Sequence, residues 1–217
     1  MCLDPSYGAE NVSTEPHQVS LGFTRQDFPA GVHVCQIFSK DEDRLDAVRK
    51  FLRSGLEAGE RVACFSDDLD DARLGSYLAE HSLSLAEHTA SGAFSKTGAS
   101  AVYFADGCFD PDRLLGLLRK FYQDALADGF PAARVIGEMM ADVLRLGGIS
   151  PLLEYEARVT MLLREHPITA VCQYDATAFD GASIMQILKV HPLMVIRDSV
   201  VHNPFYVPPE DFLANHC

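Results

Sequence analysis

The rhythm of apolar and polar positions changes near residue 30. Residues 1–28 are polar, aperiodic and rich in turn formers, and they read as a flexible tail with a few residues docked near Leu21 and Phe23. Residues 29–217 then read as a single domain in which short apolar runs alternate with longer segments of helical period. The run Val32 to Phe38 suits a strand. Ser39 with Glu42 three residues on predicts a capping box, Leu45, Val48, Phe51, Leu52 and Leu56 form one helical stripe, and Gly59 stops it.

The alternation continues along the chain. Arg61 to Ser66 reads as a strand, and the acids Asp67, Asp68, Asp70 and Asp71 open a helix that runs to about Glu80. Residues 82–100 carry little signal, although Leu83 and Leu85 alternate with serines as a short edge strand does. Ala101 to Phe104 reads as a core strand, and Asp110-Pro111 caps a long helix that ends at Gly129. Arg134 to Met139 reads as a strand, and Ser150-Pro151 begins a helix that His166-Pro167 stops. A strand over Ile168 to Tyr174, a short helix over Ala182 to Lys189 and a strand over Leu193 to Ile196 complete the set. This alternation predicts an α/β fold, a three-layer sandwich with a mainly parallel central sheet.

Composition narrows the function classes. The chain has 217 residues, 18 Lys+Arg against 31 Asp+Glu, a net charge of -13 and no Trp. Such acidity works against nucleic-acid backbones and anionic membrane surfaces. No apolar run reaches the ~18 residues of a spanning helix and no signal-like start is present, so the expected compartment is the cytoplasm. The six cysteines form no CxxC pair, and Cys35, Cys64 and Cys172 sit inside apolar runs as small hydrophobes do.

Ligands of a parallel sheet bind at the carboxyl ends of its strands. A phosphate-binding loop there requires glycines after the first strand, whereas this chain has Ser39-Lys40-Asp41-Glu42-Asp43. The nucleotide position is therefore degenerate. His33 and Cys35 share one strand face, as do Cys172 and Tyr174, and neighbouring strands would join all of them in one patch. That patch reads as a small-molecule pocket, as a metal site of His33, Cys35 and Cys172, or as packed core. With no fourth ligand at suitable spacing, a metal-free pocket is the expectation, with no cofactor.

Glu138, an acid inside an apolar strand, needs a partner such as Arg134 or Arg158, or else a cavity. Asp175 ends a strand, where it caps a turn or meets a ligand. No GxSxG elbow exists, and the cysteines lie where burial raises a thiol pKa, so no catalytic residue is assigned.

HVCQIF (His33 to Phe38), GLEAGER (Gly55 to Arg61), CQYD (Cys172 to Asp175) and His191-Pro192 followed by NPFYVPPEDFL (Asn203 to Leu213) occur in order. Together they resemble the MEDS domain, a sensory domain named for methanogen and methylotroph proteins and a regulator of dichloromethane dehalogenation. The resemblance implies a fold akin to the RecA-like ATPases of the circadian clock, without their phosphate-binding loop. It also implies sensing of small hydrocarbon derivatives by His33, Cys35, Glu138, Cys172, Tyr174, Asp175, His191, Asn203 and Tyr206. Relatives often carry a Trp after their GEM segment; here Gly137-Glu138-Met139-Met140 has none, which alters any aromatic wall.

Such domains signal through kinase, DNA-binding or other output modules, and this length has room for none. The expectation is a stand-alone sensor of a small organic molecule that acts on a separate regulatory protein of kinase, anti-sigma or transcription-factor type. Two alternatives are a non-catalytic RecA-like interaction scaffold and a metal- or thiol-dependent redox sensor or enzyme. The proline-rich segment from Asn203 to Pro209 reads as a strap packing its aromatics onto the domain.

Overall fold

The computed structural model describes residues 17–216. An antiparallel ribbon of β1 (Gln18–Ser20) and β2 (Asp27–Pro29) leads into β3 (His33–Phe38). There follow α1 (Asp41–Glu57), β4 (Arg61–Phe65), α2 (Asp71–Ala79), α3 (Leu85–Ala90), β5 (Phe94–Thr97), α4 (Ala99–Tyr103) and α5 (Pro111–Ala127). The second half adds β6 (Ala133–Met139), α6 (Asp142–Leu146), α7 (Ile149–Glu165), β7 (Ile168–Asp175), α8 (Gly181–Lys189), β8 (Leu193–Ile196), β9 (Ser199–His202) and α9 (Pro209–His216).

The main sheet has the order β5-β4-β6-β7-β3-β8-β9, parallel throughout except for the β8–β9 hairpin. Side chains alternate between two cores. His33, Cys35, Cys172 and Tyr174 face the side covered by α4, α5, α7 and α8, while Val34, Ile136 and Val171 face α1 and α2. The expected sandwich with a parallel centre is the architecture observed.

Four local expectations are corrected. Ala101 to Tyr103 belongs to α4, not a core strand, because an apolar run that short fits either element. The strand at the sheet edge is Phe94–Thr97, and Leu85 instead begins α3, capped by the Ser84 hydroxyl accepting from Glu87 N. The capping box at Ser39 does not form; Lys40 is the N-cap, and Asp41, Glu42 and Asp43 serve the helix dipole in the first turn. Finally, residues 17–28 are not a tail. Val19 and Leu21 are buried beside α1, each worth about 1.5–3 kcal/mol. Residues 1–16, the rest of the expected tail, lie outside the described residues.

The structure also explains one run of the sequence as scaffold. Gly59 ends α1 at φ +70°, and the next residue, Glu60, is buried against Arg134 of β6. Two charged hydrogen bonds of 2.6 Å join Arg134 Nε and Nη2 to the two Glu60 oxygens. Arg134 Nη1 donates to the carbonyls of Ser20 and Phe51, and the guanidinium lies over the Phe51 ring. Gly55 makes room, since a Cβ there would stand 2.6 Å from the Arg134 side chain. This fully buried fork pins β6, α1 and the β1 segment together. Glu60→Gln or Arg134→Ala strands a buried charge and is expected to cost about 3–5 kcal/mol, measured by urea unfolding. A loss under about 1 kcal/mol would contradict the pinning role.

Candidate functional site

Parallel pairing of β3 with β7 sets Cys35 opposite Cys172 and His33 opposite Ala170. His33 and Cys172 therefore lie diagonally on one face, with His33 Nε2 3.3 Å from Cys172 Sγ. Helix α7 crosses above them and lowers Glu156 into the gap. Glu156 is 0% exposed, as are Tyr174 and His191, and His33 is 2% exposed. Cys172 is half-buried, and it is the member of the group with some access.

Glu156 is the hub. Its Oε1 accepts from the Tyr174 hydroxyl at 2.6 Å. Its Oε2 lies 3.2 Å from His33 Nε2, 3.6 Å from His191 Nε2 and 3.6 Å from Cys172 Sγ. The outer nitrogens of the two rings are held by fixed partners. His191 Nδ1 sits 2.8 Å from the Ile187 carbonyl, which accepts only, so Nδ1 carries a proton. His33 Nδ1 sits 2.8 Å from Thr160 Oγ1, whose own proton has the Glu156 and Val190 carbonyls at 3.4 Å.

Electrostatics express the same tension. Burial, with His191 adding to it and Glu156 opposing, lowers His33 to about 4, so the ring is neutral. Burial pushes the Glu156 carboxyl up, while hydrogen bonds from His191 and His33 pull it below the usual carboxylate range. Cys35 and Cys172 are pushed up by burial first and by Glu156 next.

The expected site residues separate into groups. His33, Cys172, Tyr174 and His191 come together, and Cys35 lies beside them in the same core. Asn203 supports the group from outside: its Nδ2 donates to the His191 carbonyl at 2.8 Å and also to that of Leu188. Tyr206 stands away, half-exposed beside Arg164. Asp175 caps its own turn by accepting from Thr177 N and Oγ1.

Glu138 faces the opposite side of the sheet, and its partner is neither Arg134 nor Arg158. Arg44 Nη1 donates to it at 2.6 Å and to Ser66 Oγ at 3.3 Å, while Asp41 and Asp68 flank the same buried guanidinium. Burial raises the Glu138 carboxyl, Arg44 opposes, and Asp68, Asp41 and Asp175 add to the rise. These acids lie at the carboxyl ends of β3, β4, β6 and β7, the edge of a parallel sheet where ligands bind. The crevice that holds phosphate in nucleotide-binding sheets is here acidic and contains its own cation.

Sequence reasoning missed Glu156 and Thr160. A helical-period count finds both, since Leu152, Glu156, Val159, Thr160 and Leu163 recur at spacings of three and four on the buried face of α7. An acid on such a stripe marks a buried polar site.

The model of the MEDS family (MEthanogen/methylotroph, DcmR Sensory domain) matches residues 32–192. The chain belongs to this family. MEDS is a sensory domain, and the match spans every member of the buried group. The transcriptional repressor DcmR of Methylorubrum extorquens (strain DSM 6343 / CIP 106787 / DM4) is 22% identical over 188 residues, covering 86% of this chain and 68% of that protein. Among solved structures, a KaiC-like protein of Pyrococcus horikoshii OT3 superposes with a TM-score of 0.56 at 16% identity, over 83% of this chain and 80% of that one. The flagellar accessory protein FlaH of Methanocaldococcus jannaschii gives 0.54 at 12% identity, over 80% and 76%. At such identities these two likenesses speak to the fold, which is RecA-like.

In this MEDS chain burial disfavours the thiolate form of three cysteines. Cys64 is pushed up to about 12 by burial, and Cys35 and Cys172 rise as well, whereas Cys108 is exposed. Alkylation at pH 8 with peptide mapping is therefore expected to label Cys108 at least about a hundredfold faster than Cys35, Cys64 or Cys172, until the chain unfolds. Rapid labelling of Cys172 in the folded chain would instead favour thiol-based redox chemistry.

Proposed function

We propose that this MEDS domain is a non-catalytic sensor of a small organic molecule that passes its state to a separate regulatory protein. The observation that carries this reading is the sealed polar group around Glu156. Burying an acid costs stability, and such departures from local rules concentrate at functional sites. The family match and the likeness to a transcriptional repressor support a sensory and regulatory role.

The surroundings of Cys172 suit a small, largely apolar ligand. Gly137 lies opposite Cys172 in the sheet and has no side chain to cover it; the Tyr103 hydroxyl comes within 2.5 Å of where a Cβ would stand. Tyr103 packs on Phe65 and Phe109, and Phe109 packs edge-on against Tyr155. This cluster supplies the aromatic wall that a chain without Trp otherwise lacks. Aromatic walls with a few convergent polar groups are the common form of small-molecule sites. The nucleotide reading is disfavoured by Arg44 and the acids at the strand ends.

A thermal-shift panel of one- and two-carbon alcohols, amines and halogenated hydrocarbons tests the proposal. The cognate compound should raise Tm with concentration, by about 2.7 kcal/mol of stability at a hundred times its Kd. A Tyr103→Ala chain that still folds should lose that response. No response across the panel, together with capture of partners indifferent to every compound, would favour the interaction scaffold.

A further inference from the structure

We propose that His33, Glu156, Cys172 and His191 form a four-ligand site for a divalent transition metal of the zinc type. The donor atoms His33 Nε2, Glu156 Oε2, Cys172 Sγ and His191 Nε2 all lie within 4.8 Å of one another. Zinc bonds of about 2.0–2.1 Å to nitrogen or oxygen and about 2.3 Å to sulfur set tetrahedral ligands about 3.3–3.7 Å apart. The contacts here are 3.2, 3.3, 3.6 and 3.6 Å. Four of the six edges of a coordination tetrahedron are thus already close to metal-bound length, and the other two are within 4.8 Å.

The hydrogen bonds point the same way. His191 Nε2 is buried with no hydrogen-bond partner and aims at Glu156 Oε2. His33 Nε2 stands 3.2 Å from that same oxygen and 3.3 Å from Cys172 Sγ. A divalent ion among the four donor atoms binds all of them, including the His191 nitrogen that has no hydrogen-bond partner. With Cys172 as thiolate and Glu156 ionised, the charges of ligands and ion cancel, so the buried centre is neutral. As the metal–sulfur bond forms, the Cys172 S–H bond breaks and its proton leaves to solvent.

Three of the four ligands also have an outer partner of the kind that orients metal ligands: Thr160 for His33, the Ile187 carbonyl for His191 and Tyr174 for Glu156. Nitrogen and sulfur donors exclude a calcium or magnesium preference. The expectation from sequence, a metal-free pocket, lacked a fourth ligand; the fold supplies Glu156 and His191 and leaves Cys35 out. This inference rests on the donor geometry and not on the identity of any organic ligand.

The test uses the full, untagged chain. Elemental analysis after purification in zinc-supplemented buffer is expected to find about one zinc per chain. Cobalt(II) added to the chelator-stripped protein is expected to give tetrahedral d–d bands and a thiolate-to-cobalt charge-transfer band. Cys172→Ser should abolish the charge-transfer band, while Cys2→Ser, Cys35→Ser and Cys217→Ser leave it intact. Thr160→Val, which frees the His33 ring without removing a ligand, should weaken metal affinity 10–100-fold. Stripping should lower Tm, and zinc should restore it. No cobalt spectrum from the folded wild-type chain would overturn the proposal without recourse to any variant, as would an unchanged spectrum in folded Cys172→Ser. Metal loading is read with no organic compound present, so its failure leaves the sensory reading untouched, and a silent compound panel leaves the metal site untouched.

Discussion

Everything near the functional face depends on one constraint: Glu156 has no access to water. A helix that lowers a carboxylate onto the middle of a parallel sheet must find partners for it there. Tyr174, His33, His191 and Cys172 are those partners, and they come from β7, β3 and the turn after α8. Their placement follows from strand register, because the β3–β7 pairing leaves His33 and Cys172 diagonal neighbours on the face that α7 covers. A one-residue slip of either strand would turn its contributors to the opposite core.

Two buried acids in this chain are satisfied in different ways, and the difference separates scaffold from site. Glu60 meets the fork of Arg134 with both oxygens, and every donor nitrogen of that guanidinium is engaged. Glu156 has one oxygen bonded by a hydroxyl and the other shared among His33, His191 and Cys172. The first arrangement is complete without anything added. The second is the donor set of the proposed metal site. A third acid, Glu138, stands at the carboxyl end of β6 and is matched by Arg44. The strand ends of this RecA-like fold are thus acidic, and its buried polar group lies deeper, under α7.

The layered fold was legible in the sequence because β3, β4, β6 and β7 are apolar runs of strand length between helices with clear stops. Legibility failed where length gave no leverage: Ala101 to Tyr103 is too short an apolar run to tell strand from helix, and Leu83 and Leu85 alternate by coincidence. In the site, His33, Cys172 and Tyr174 followed from strand parity alone. His191 entered only through a motif, since nothing local reveals that the turn after α8 reaches the same core. Glu156 was hidden by its neighbours, for in Glu154-Tyr155-Glu156-Ala157-Arg158 it resembles a solvated helix face. Only its place on the Leu152–Val159–Leu163 stripe sets it apart from Glu154, which pairs with Arg158 at the surface.

A sensor also needs a path from a sealed group to the outside, and here the path is short. His191 sits in the turn between α8 and β8, and its carbonyl is held by Asn203. Asn203 in turn accepts from Phe205 N and begins the proline-rich strap, whose Val207 N returns to the Lys189 carbonyl. The strap continues into α9, which packs on α7 and pairs Glu210 with Arg164. The helix that carries Glu156 and the turn that carries His191 are therefore bridged twice by the C-terminal segment. Contiguity alone does not make a switch; coupling needs an element with two arrangements. At this junction α7 and the α8–β8 turn hold Glu156 and His191 face to face, and His191 Nε2 is one of several buried polar atoms among the described residues without a hydrogen-bond partner. Whatever occupies or vacates the space between them changes the force holding those two elements together, and the strap spans that same junction.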